Sequence, residues 1–468
     1  MLNRREFLRC TGSLAAGASL LTAAGRLSGA AAGPAARPNI IYILADDLGY
    51  AHLGCYGQSD IRTPHLDRMA AEGMRFTDHY AGSALCAPSR CVLMTGLHTG
   101  HCFVRNNKPL PVEGNVPIPA DSQTIPKVLK AAGYATACIG KWGLGYPGSE
   151  GDPTRQGFDH FFGYNCQRQA HTYYPPHLWR NREKVILEGN AGGGKKDYSH
   201  DLLTAEALAF LRAGHKRPFF LYLPYTIPHA AFQVPDQGIY ADRPWTETQK
   251  NIAAMISRMD SDVGTILALL GELGVEKNTL VMFASDNGSA GGDLAGKFKG
   301  SGPLRAQKGS LYEGGIRTPL VARWPGAIAP GAVSRHVSSF QDMMPTFAEL
   351  AGASLEKPTD GISMVPALLG RGEQREHAYL YWELGAARAV RMGTWKAVAG
   401  KGRLELFDLS ADPSESTDVA AEHGDVVQRL RAILREAHTD SAFDTWTYTG
   451  PAPPQGTRPP KKRKSGKA

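Results

Sequence analysis

Three apolar runs, each followed by polar residues, constrain most strongly what this chain of 468 residues can fold into. They are PNIIYILA before Asp46-Asp47, YATACIG before Lys141, and TLVMFAS before Asp286-Asn287. Continuous runs of β-branched and apolar residues are typical of strands buried on both faces. Helical patterns separate these runs, and the strongest extends from about Lys250 to Leu273. The alternation predicts an α/β fold in which a large, mostly parallel sheet lies between two layers of helices.

The pattern changes near Arg371, where short strand candidates replace the long buried runs. The candidates are Tyr379–Trp382, Ala389–Met392, Trp395–Val398 and Leu404–Asp408, and an amphipathic helix follows over Val426–His438. Short strands separated by turns are typical of an antiparallel sheet. We therefore expect a large domain over residues 37–370 and a small C-terminal α+β domain, with an antiparallel sheet, over residues 371–448.

The N-terminal residues have the pattern of an export signal. Arg4-Arg5 precedes Phe7-Leu8 and an apolar run from Leu14 to Ala24, and small residues suited to a signal peptidase follow. The alternative is a membrane anchor, but the run is too short and too interrupted by glycine to span a bilayer. We interpret residues 1–32 as a twin-arginine type signal peptide, which predicts export to the periplasm or the extracellular space. No later segment is long and apolar enough to cross a membrane, so we expect no membrane segment in the mature chain.

The formal net charge of +8 belongs to the two ends of the chain. The predicted signal peptide carries +3 and the tail from Pro451 carries +6, so the body between them is close to neutral. A near-neutral body argues against nucleic acid as a partner, because such binding needs a basic surface. The basic tail over residues 449–468 is rich in Pro, Gly and Lys, which predicts a disordered segment.

The polar residues after the first and last of the three runs form a candidate metal site. The carboxyl ends of parallel strands meet at one edge of a sheet, where α/β folds place their ligands. Asp46, Asp47, Asp286 and Asn287 would supply four side-chain oxygens there, a hard ligand set that suits Ca²⁺ and less well Mg²⁺. Zinc is disfavoured, because no set of His and Cys has suitable spacing. The alternative for either pair alone is a turn or a helix cap.

The run Cys86–Gly96, with the sequence CAPSRCVLMTG, places a thiol at the start of an apolar segment that can form a helix. Pro88 lies in the first turn, where a missing N–H costs nothing. A helix N-terminus attracts anions through its free amides and partial positive charge, and Arg90 adds a fixed cation. The alternative is a buried structural cysteine on a well-capped helix.

This run resembles the signature C-x-P-S-R-x-x-L-x-T-G of sulfatases, in which the cysteine is oxidised after translation to formylglycine. Further motifs occur in the order of that family: ADDLG (45–49), GKWGLG (140–145), Pro228-His229, SDNG (285–288) and KGSLYEGGIR (308–317). Over roughly Pro38 to His438, the chain is similar to the formylglycine-dependent type I sulfatases of the alkaline phosphatase superfamily. The resemblance implies an alkaline phosphatase-like fold, a catalytic role for the large domain, and hydrolysis of sulfate monoesters.

The resemblance also implies a cofactor and a nucleophile. Asp46, Asp47, Asp286 and Asn287 would bind Ca²⁺, and the modified Cys86 would add one more oxygen. The hydrated aldehyde of residue 86 would attack sulfur and form a covalent sulfo-enzyme intermediate. The second hydroxyl of the hydrate would then expel sulfate. Maturation would require a formylglycine-generating enzyme as a partner.

For the sulfate site, the resemblance implies three cations and an acid. Arg90, Lys141 and Lys308 would hold the non-bridging sulfate oxygens, and such electrostatic stabilisation usually dominates sites of this kind. His229 would protonate the leaving alcohol as a general acid. The alternatives are surface charges for the two lysines and a solvated loop histidine for His229.

One position departs from the family's pattern. Many sulfatases have a histidine where this chain has Gly143, and that histidine contacts the formylglycine hydroxyl. The chain therefore lacks the expected proton acceptor for the release of sulfate. We hypothesise that His98 or His101, which follow the Cys86 helix, replaces it, and a structural role for both is the alternative.

The loop-like segment near residues 168–179 mixes aromatic side chains with histidine and arginine, which suits stacking on a sugar ring and pairing with anions. We predict that Arg168, His171 and the similar Arg105 bind substrate; the alternative is a tyrosine-rich packing loop. The expected substrates are sulfated carbohydrates, such as galactose or N-acetylgalactosamine sulfate, and aryl sulfates. Two other functions stay open. One is a phosphate or phosphonate monoester hydrolase on the same scaffold, and the other is a catalytically silent glycan-binding protein in which Cys86 stays a thiol.

Overall fold

The computed structural model describes residues 37–448, and the predicted signal peptide (1–32) and basic tail (449–468) lie outside them. The strands are β1 (Asn39–Ala45), β2 (Met74–Phe76), β3 (His79–Tyr80), β4 (Ala135–Lys141), β5 (His160–Tyr164), β6 (His177–Arg180), β7 (Glu183–Ile186), β8 (Phe219–Pro224), β9 (Thr279–Ser285), β10 (Leu320–Arg323), β11 (Ala332–Ser334), β12 (Ser338–Ser339), β13 (Leu380–Leu384), β14 (Ala387–Met392), β15 (Trp395–Gly400) and β16 (Arg403–Asp408). The helices are α1 (Pro64–Ala71), α2 (Cys86–Thr95), α3 (Ile125–Ala131), α4 (Ser199–Arg212), α5 (Glu247–Glu272), α6 (Glu313–Ile316), α7 (Met343–Ala351), α8 (Val365–Leu369) and α9 (Gly424–Glu436).

Within the described residues, ten strands form the central sheet in the order β11-β2-β10-β9-β1-β8-β4-β5-β6-β7. The five central strands, from β9 to β5, are parallel to one another, which confirms the predicted parallel sheet. Antiparallel pairs extend this parallel centre on both sides, so the sheet is mixed and mostly parallel, as predicted. Strand β10 pairs antiparallel with β9, and β6 and β7 extend the other edge as antiparallel strands. Antiparallel neighbours need no crossover helix, so short returning segments can widen the sheet at both edges.

Alternate residues of β1 face two separate cores. Ile41 and Ile43 belong to one core together with residues of α4 and α5, whereas Ile40 and Tyr42 belong to the other with residues of α2 and α7. All seven residues of β1 are buried. A strand covered on both faces has no solvent-facing positions, which explains its continuous apolar sequence.

Helix α5 has 26 residues and begins slightly before the predicted start. A capping box fixes its N-terminus: the Thr246 side chain accepts a hydrogen bond from the backbone N–H of Gln249, and the Gln249 side chain accepts one from that of Thr246. Met255 and Met259 are fully buried, so these methionines are core residues, as the helical period predicts. Neither α5 nor any other helix within residues 37–448 is long and apolar enough to cross a membrane.

The C-terminal residues form the predicted small antiparallel sheet, in the order β13-β14-β15-β16. One face packs against α9, where Val390 and Leu406 meet Leu430. The other face carries Trp382, which packs against Tyr80 of the large part of the protein. The small sheet therefore shares a core with the large part, and the predicted domain boundary near residue 371 stays a prediction.

The segment predicted to be a loop near residues 168–179 is partly regular. It contains a single 3-10 turn at Gln169–His171, and its last residues begin strand β6 of the central sheet. The loop prediction is therefore wrong for His177 and Trp179, which pair with β7. Short edge strands of this kind lack the long apolar run that marks a buried strand.

Candidate active site

Parallel pairing of β1 with β9 brings two polar pairs together at the carboxyl edge of the sheet. The last residues of the two strands are paired in register, so Asp46-Asp47 and Asp286-Asn287 leave the sheet side by side. The backbone N–H of Asp47 donates to Asp286 Oδ1 at 3.2 Å, and Asn287 Nδ2 donates to Asp47 Oδ1 at 2.9 Å. Asp47 has a φ of 67°. Non-glycine residues rarely adopt a positive φ, and those that do often lie at functional sites. All four side chains are buried.

Cys86 is the first residue of α2 and lies within this cluster. Its Sγ is 3.3 Å from Asp46 Oδ1 and 3.6 Å from Lys308 Nζ. The side chain is buried, and burial together with the nearby Asp46 raises the pKa of the Cys86 thiol well above its ordinary value. Because the thiolate is the reactive form, a thiol of raised pKa is a poor nucleophile. The unmodified residue is therefore badly suited to attack an ester.

Arg90 lies about one helical turn after Cys86 and neutralises the carboxylates. Its Nε and Nη2 donate to Asp286 Oδ2 at 3.1 and 2.7 Å, and its Nη1 donates to the Lys141 carbonyl at 2.6 Å. The guanidinium is fully buried. Burial and the charge of Asp46 raise the pKa of Asp286 to about 6, and Arg90 opposes this shift. The Arg90 nitrogens therefore already donate hydrogen bonds to oxygen atoms of the protein.

Two lysines pair with the two aspartates that follow β1. Lys141, the last residue of β4, has its Nζ 2.5 Å from Asp46 Oδ2, and Lys308 Nζ lies 2.6 Å from Asp47 Oδ1. Burial favours the neutral form of Asp46, but Lys141 and the other nearby cations outweigh it and hold the pKa of that carboxyl well below its ordinary value. Burial also opposes the charge of Lys308, but Cys86 and Asp47 outweigh it and raise the pKa of the ammonium. Asp46 and Lys308 are therefore both charged at neutral pH.

His229 reaches the cluster from the loop that follows β8. Its Nε2 is 3.5 Å from Asp47 Oδ2, and its side chain is 12% exposed. The ring of His171 stacks on it, with centroids 4.4 Å apart. Burial and the neighbouring His229 lower the pKa of His171 to about 4, so His171 is neutral at physiological pH. His171, one of the predicted substrate-binding residues, therefore adjoins the site through His229.

The other two predicted substrate-binding residues have other partners. Arg168 is exposed, and its Nη2 lies 3.4 Å from the Val112 carbonyl. The Arg105 guanidinium is buried and donates to Glu383 at 2.8 Å and to the Thr439 carbonyl at 2.6 Å. Arg105 therefore joins the large part to the C-terminal sheet. We correct the prediction that it binds substrate, because its charge is already compensated inside the protein.

The hypothesis was that His98 or His101 replaces the histidine missing at Gly143, and their contacts favour the structural alternative. His101 Nδ1 lies 2.9 Å from Asp360 Oδ1, and the two imidazoles stack with centroids 4.1 Å apart. The ring of His98 also packs against Tyr381 of β13. These contacts hold the loop after α2 against the C-terminal sheet. We correct the hypothesis accordingly: both histidines have structural contacts here.

The acidic cluster fits a hard divalent cation. Ligand atoms of Asp46, Asp47, Cys86 and His229 lie within 4.8 Å of one another. Asn287 Oδ1 is buried and has no hydrogen-bond partner in the described part of the chain, so it is available as a further ligand. The carboxylate and amide oxygens of Asp46, Asp47 and Asn287 suit Ca²⁺ or Mg²⁺. The Cys86 sulfur and the His229 imidazole are ligands that softer metals prefer, so the oxygens alone support a hard cation.

Gln167 is a residue near the site that sequence reasoning missed. Its side chain is 9% exposed and lies beside Gly143, at the point where the chain leaves β4. The two residues meet because β4 and β5 are parallel neighbours and end together. No local pattern marks Gln167, and only the pairing of the two strands could have indicated it.

A parallel sheet whose strand ends gather carboxylates, buried cations and a residue at a helix N-terminus defines a hydrolase of anionic esters. Comparison with known proteins identifies the family of this hydrolase. Residues 38–353 match the Sulfatase family model, and residues 306–440 match the model of the N-sulphoglucosamine sulphohydrolase C-terminal region. The chain belongs to the sulfatase family.

Individual relatives agree with this assignment. N-acetylgalactosamine-6-sulfatase of Mus musculus is 35% identical over 81% of this chain and 74% of its own length. Arylsulfatase A of Homo sapiens is 34% identical over 86% of this chain and 89% of its own length. The crystal structure of Ps i-CgsB in complex with k-i-k-neocarrahexaose has a TM-score of 0.76 and 32% identity, over 86% of this chain and 93% of that chain. The expected alkaline phosphatase-like fold is confirmed, and the protein is an enzyme that hydrolyses sulfate esters.

Proposed function

We propose that this sulfatase removes sulfate from carbohydrates, with a formylglycine formed from Cys86 as nucleophile and Ca²⁺ as cofactor. One observation carries the proposal: Cys86 begins α2 between the Asp46 carboxylate and the Lys308 ammonium. The relatives support the choice of carbohydrate, since one is an N-acetylgalactosamine-6-sulfatase and another was solved with a neocarrahexaose. Sulfates of galactose or N-acetylgalactosamine are the proposed substrates, and aryl sulfates are the surrogates.

The surroundings of residue 86 support an oxidised residue in place of a thiol. Burial and Asp46 raise the pKa of the thiol, so a cysteine here stays protonated and unreactive. A formylglycine supplies a hydroxyl nucleophile through its hydrated aldehyde. Asp46 and Lys308 contact the Cys86 side chain and would orient such a hydroxyl, the first as an acceptor and the second as a donor. The partial positive charge at the start of α2 favours an anionic substrate at the same place.

Asp46, Asp47, Asp286 and Asn287 are the proposed ligands of the cation. A bound Ca²⁺ polarises sulfate oxygens and lowers the pKa of a hydroxyl beside it. The number of carboxylates supports Ca²⁺, because Mg²⁺ usually takes one or two from the protein and this cluster offers three. Arg90 holds Asp286 Oδ2 from behind with two hydrogen bonds and so fixes the orientation of that ligand.

Lys141 and Lys308 are the proposed cations for the non-bridging sulfate oxygens. Each ends in an ammonium at the acidic cluster, 2.5 Å from Asp46 and 2.6 Å from Asp47 respectively. Fixed cations in a buried site stabilise developing negative charge without reorganisation, which makes them worth more than in water. Arg90 assists by holding the Lys141 carbonyl at 2.6 Å, which fixes the end of β4.

His229 is the proposed general acid for the leaving alcohol. Its Nε2 points to the cluster, 3.5 Å from Asp47 Oδ2, and the stacked ring of His171 limits its rotation. A positioned acid of this kind typically contributes about 10²- to 10⁴-fold to the rate. The side chain of His229 remains partly exposed, so a leaving group can reach it from solvent.

The test combines mass spectrometry with paired kinetics. The protein is co-expressed with a formylglycine-generating enzyme, and the tryptic peptide that contains residue 86 is weighed. We expect the aldehyde in place of the thiol, turnover of nitrophenyl sulfate well above nitrophenyl phosphate, and loss of turnover in Cys86→Ala. The matched control is Cys91→Ala, which removes a buried cysteine of the same helix and should keep its turnover. An intact thiol in active enzyme would refute the nucleophile, and a strong preference for phosphate would refute the substrate class.

We also propose export by the twin-arginine route, supported by Arg4-Arg5 and the apolar run after it. That route carries folded proteins, so oxidation of Cys86 would take place in the cytoplasm. Replacing both arginines by lysine should retain the protein in the cytoplasmic fraction. Unchanged export of this variant would argue for another route.

A further inference from the structure

A buried carboxamide occupies the space that a side chain at position 143 would need. Gly143 has a φ of +84°, and a Cβ built on it would lie 2.6 Å from Gln167 Nε2. Within residues 37–448, neither Nε2 nor Oε1 of Gln167 has a hydrogen-bond partner, although the residue is 9% exposed. Buried amides are nearly always paired, because an unpaired one loses its hydrogen bonds to water without replacement. The carboxamide of Gln167 is therefore placed to bind a group that is not part of the unmodified chain.

The segment that carries Gln167 runs along the wall of the active site. At one end, the Asn165 carbonyl accepts a hydrogen bond from the backbone N–H of Gly143, which lies two residues after Lys141. At the other end, His171 stacks on His229. Lys141 and His229 both contact the aspartates of the cluster, so Gln167 lies between two points that border it.

The backbone of Gln167 is also fixed. Its N–H donates to Asn115 Oδ1 at 3.1 Å, which holds the segment against the connection between α2 and α3. The neighbouring Asn165 has a fully buried side chain whose two polar atoms also lack partners among the described residues. Two carboxamides of this segment therefore lack hydrogen-bond partners among the described residues and are available to polar oxygen atoms.

We infer that Gln167 is a positioning residue for the oxidised residue 86, in the space left by Gly143. The inference rests on the proposed function, because an unmodified thiol offers it no hydroxyl. A carboxamide both donates and accepts hydrogen bonds, but it does not ionise near neutral pH. Gln167 therefore orients a hydroxyl of residue 86 and takes no proton from it. The proton lost when sulfate is released must pass to another group or to water.

The experiment compares Gln167→Met in two forms of the protein, with Cys86 intact and with residue 86 converted to the aldehyde as verified by mass. Methionine keeps the volume and removes the polar atoms. In the Cys86 form, we expect a melting temperature equal to or above that of the parent, because the Gln167 side chain makes no hydrogen bond among the described residues and the variant keeps the backbone bond to Asn115. In the converted form, we expect kcat to fall about 10²-fold, as for loss of one preorganised donor. The rate at which a hydroxylamine probe labels the aldehyde should rise several-fold, because the hydrate is held less well.

Gln374→Met is the matched control, since the Gln374 carboxamide is paired with Ala367 and Ser363. It should lower the melting temperature equally in both forms and keep kcat. Gln167→His provides a second check, because an imidazole in the same space can exchange a proton. It should recover part of kcat and add an ionisation to the pH profile that the parent lacks.

Two results would overturn the inference. Equal loss of stability in both forms of Gln167→Met would show a structural role, and a kcat within two-fold of the parent would show no role in turnover. Failure of the proposed function gives a different result. In that case the parent protein itself would keep a thiol at residue 86 although the formylglycine-generating enzyme is active. That outcome would overturn both.

Discussion

Lys396 of β15 is the perturbation with the clearest predicted effect on stability. Its side chain is fully buried, and its Nζ lies 2.8 Å from Glu313 Oε1 and 2.9 Å from Glu415 Oε1. Glu415 Oε2 accepts the backbone N–H of Glu313 at 2.7 Å. Glu313 begins α6, five residues after Lys308, so this network joins the C-terminal sheet to the loop that carries a site cation.

Lys396→Met leaves two buried carboxylates with reduced compensation. Arg317 Nη1, 3.2 Å from Glu313, remains as a partner of that residue. Breaking a buried ion pair by removing one partner costs about 3–5 kcal/mol. For a folded body of this size the entropy of unfolding is on the order of 0.9 kcal/mol per kelvin, so the melting temperature should fall by about 3–6 °C at pH 8.

The deficit should shrink as the pH is lowered from 8 to 5.5. Burial raises the pKa of Glu415, the charge of Lys396 lowers it, and the charge of Glu313 raises it. Loss of Lys396 therefore raises the pKa of Glu415 further. A carboxyl whose pKa is raised in the folded state binds a proton that the unfolded state releases, so stability increases as the pH falls through the raised value. Glu313 differs: burial opposes its charge, but Lys396 and Arg317 outweigh burial and lower its pKa to about 2. In the parent the contribution of Glu313 is lost only at lower pH, outside this window, and loss of Lys396 moves the pKa of Glu313 upward as it does that of Glu415.

The assay is calorimetric melting of both proteins at the two pH values, with Lys130→Met as control. Lys130 pairs with Asp159 at 2.7 Å at the surface, where its side chain is 47% exposed. Such a pair contributes about 0–1 kcal/mol, so the control should melt within 1 °C of the parent. A melting temperature of Lys396→Met within 1 °C of the parent at pH 8 would refute the reasoning. An equal deficit at both pH values would show that lost packing, and not charge, causes it.

Three further outcomes are expected at the active site. His229→Ala should lower kcat by about 10²- to 10⁴-fold on sugar sulfates and less on nitrophenyl sulfate, because a good leaving group needs little protonation; equal losses on both would contradict the role as acid. Asn287→Ala should weaken Ca²⁺ binding in calorimetry. The control Asn278→Ala, at a half-buried asparagine that donates to the Arg37 carbonyl, should bind as the parent does, and equal affinities of the two variants would exclude Asn287 Oδ1 as a ligand. Removal of the cation by a chelator should lower both the melting temperature and turnover, and added Ca²⁺ should restore them; full turnover after chelation would exclude a metal role.

Some of the fold follows from local patterns alone. The runs that became β1, β4 and β9 are largely apolar, because these strands are buried along their whole length. Strands β6, β7 and β10 escaped prediction, since each has only four residues and none carries a long apolar run. Arg105 was misassigned for a related reason: a single arginine carries no sign of whether its partner is a substrate or a distant Glu383.

What the sequence by itself determined is the parallel centre of the sheet and the residues at its carboxyl edge. Parallel strands end at one edge whatever the loops do, so Asp46-Asp47 and Asp286-Asn287 had to lie at the same edge once both runs were parallel strands. That β1 and β9 are adjacent was decided by the tertiary structure. What only the tertiary structure decided is which distant side chains complete the cluster. Lys308 binds Asp47 across 261 residues, and Gln167 occupies the space beside Gly143. Such contacts depend on the folded path of both segments, and neither segment alone carries a pattern that specifies the other.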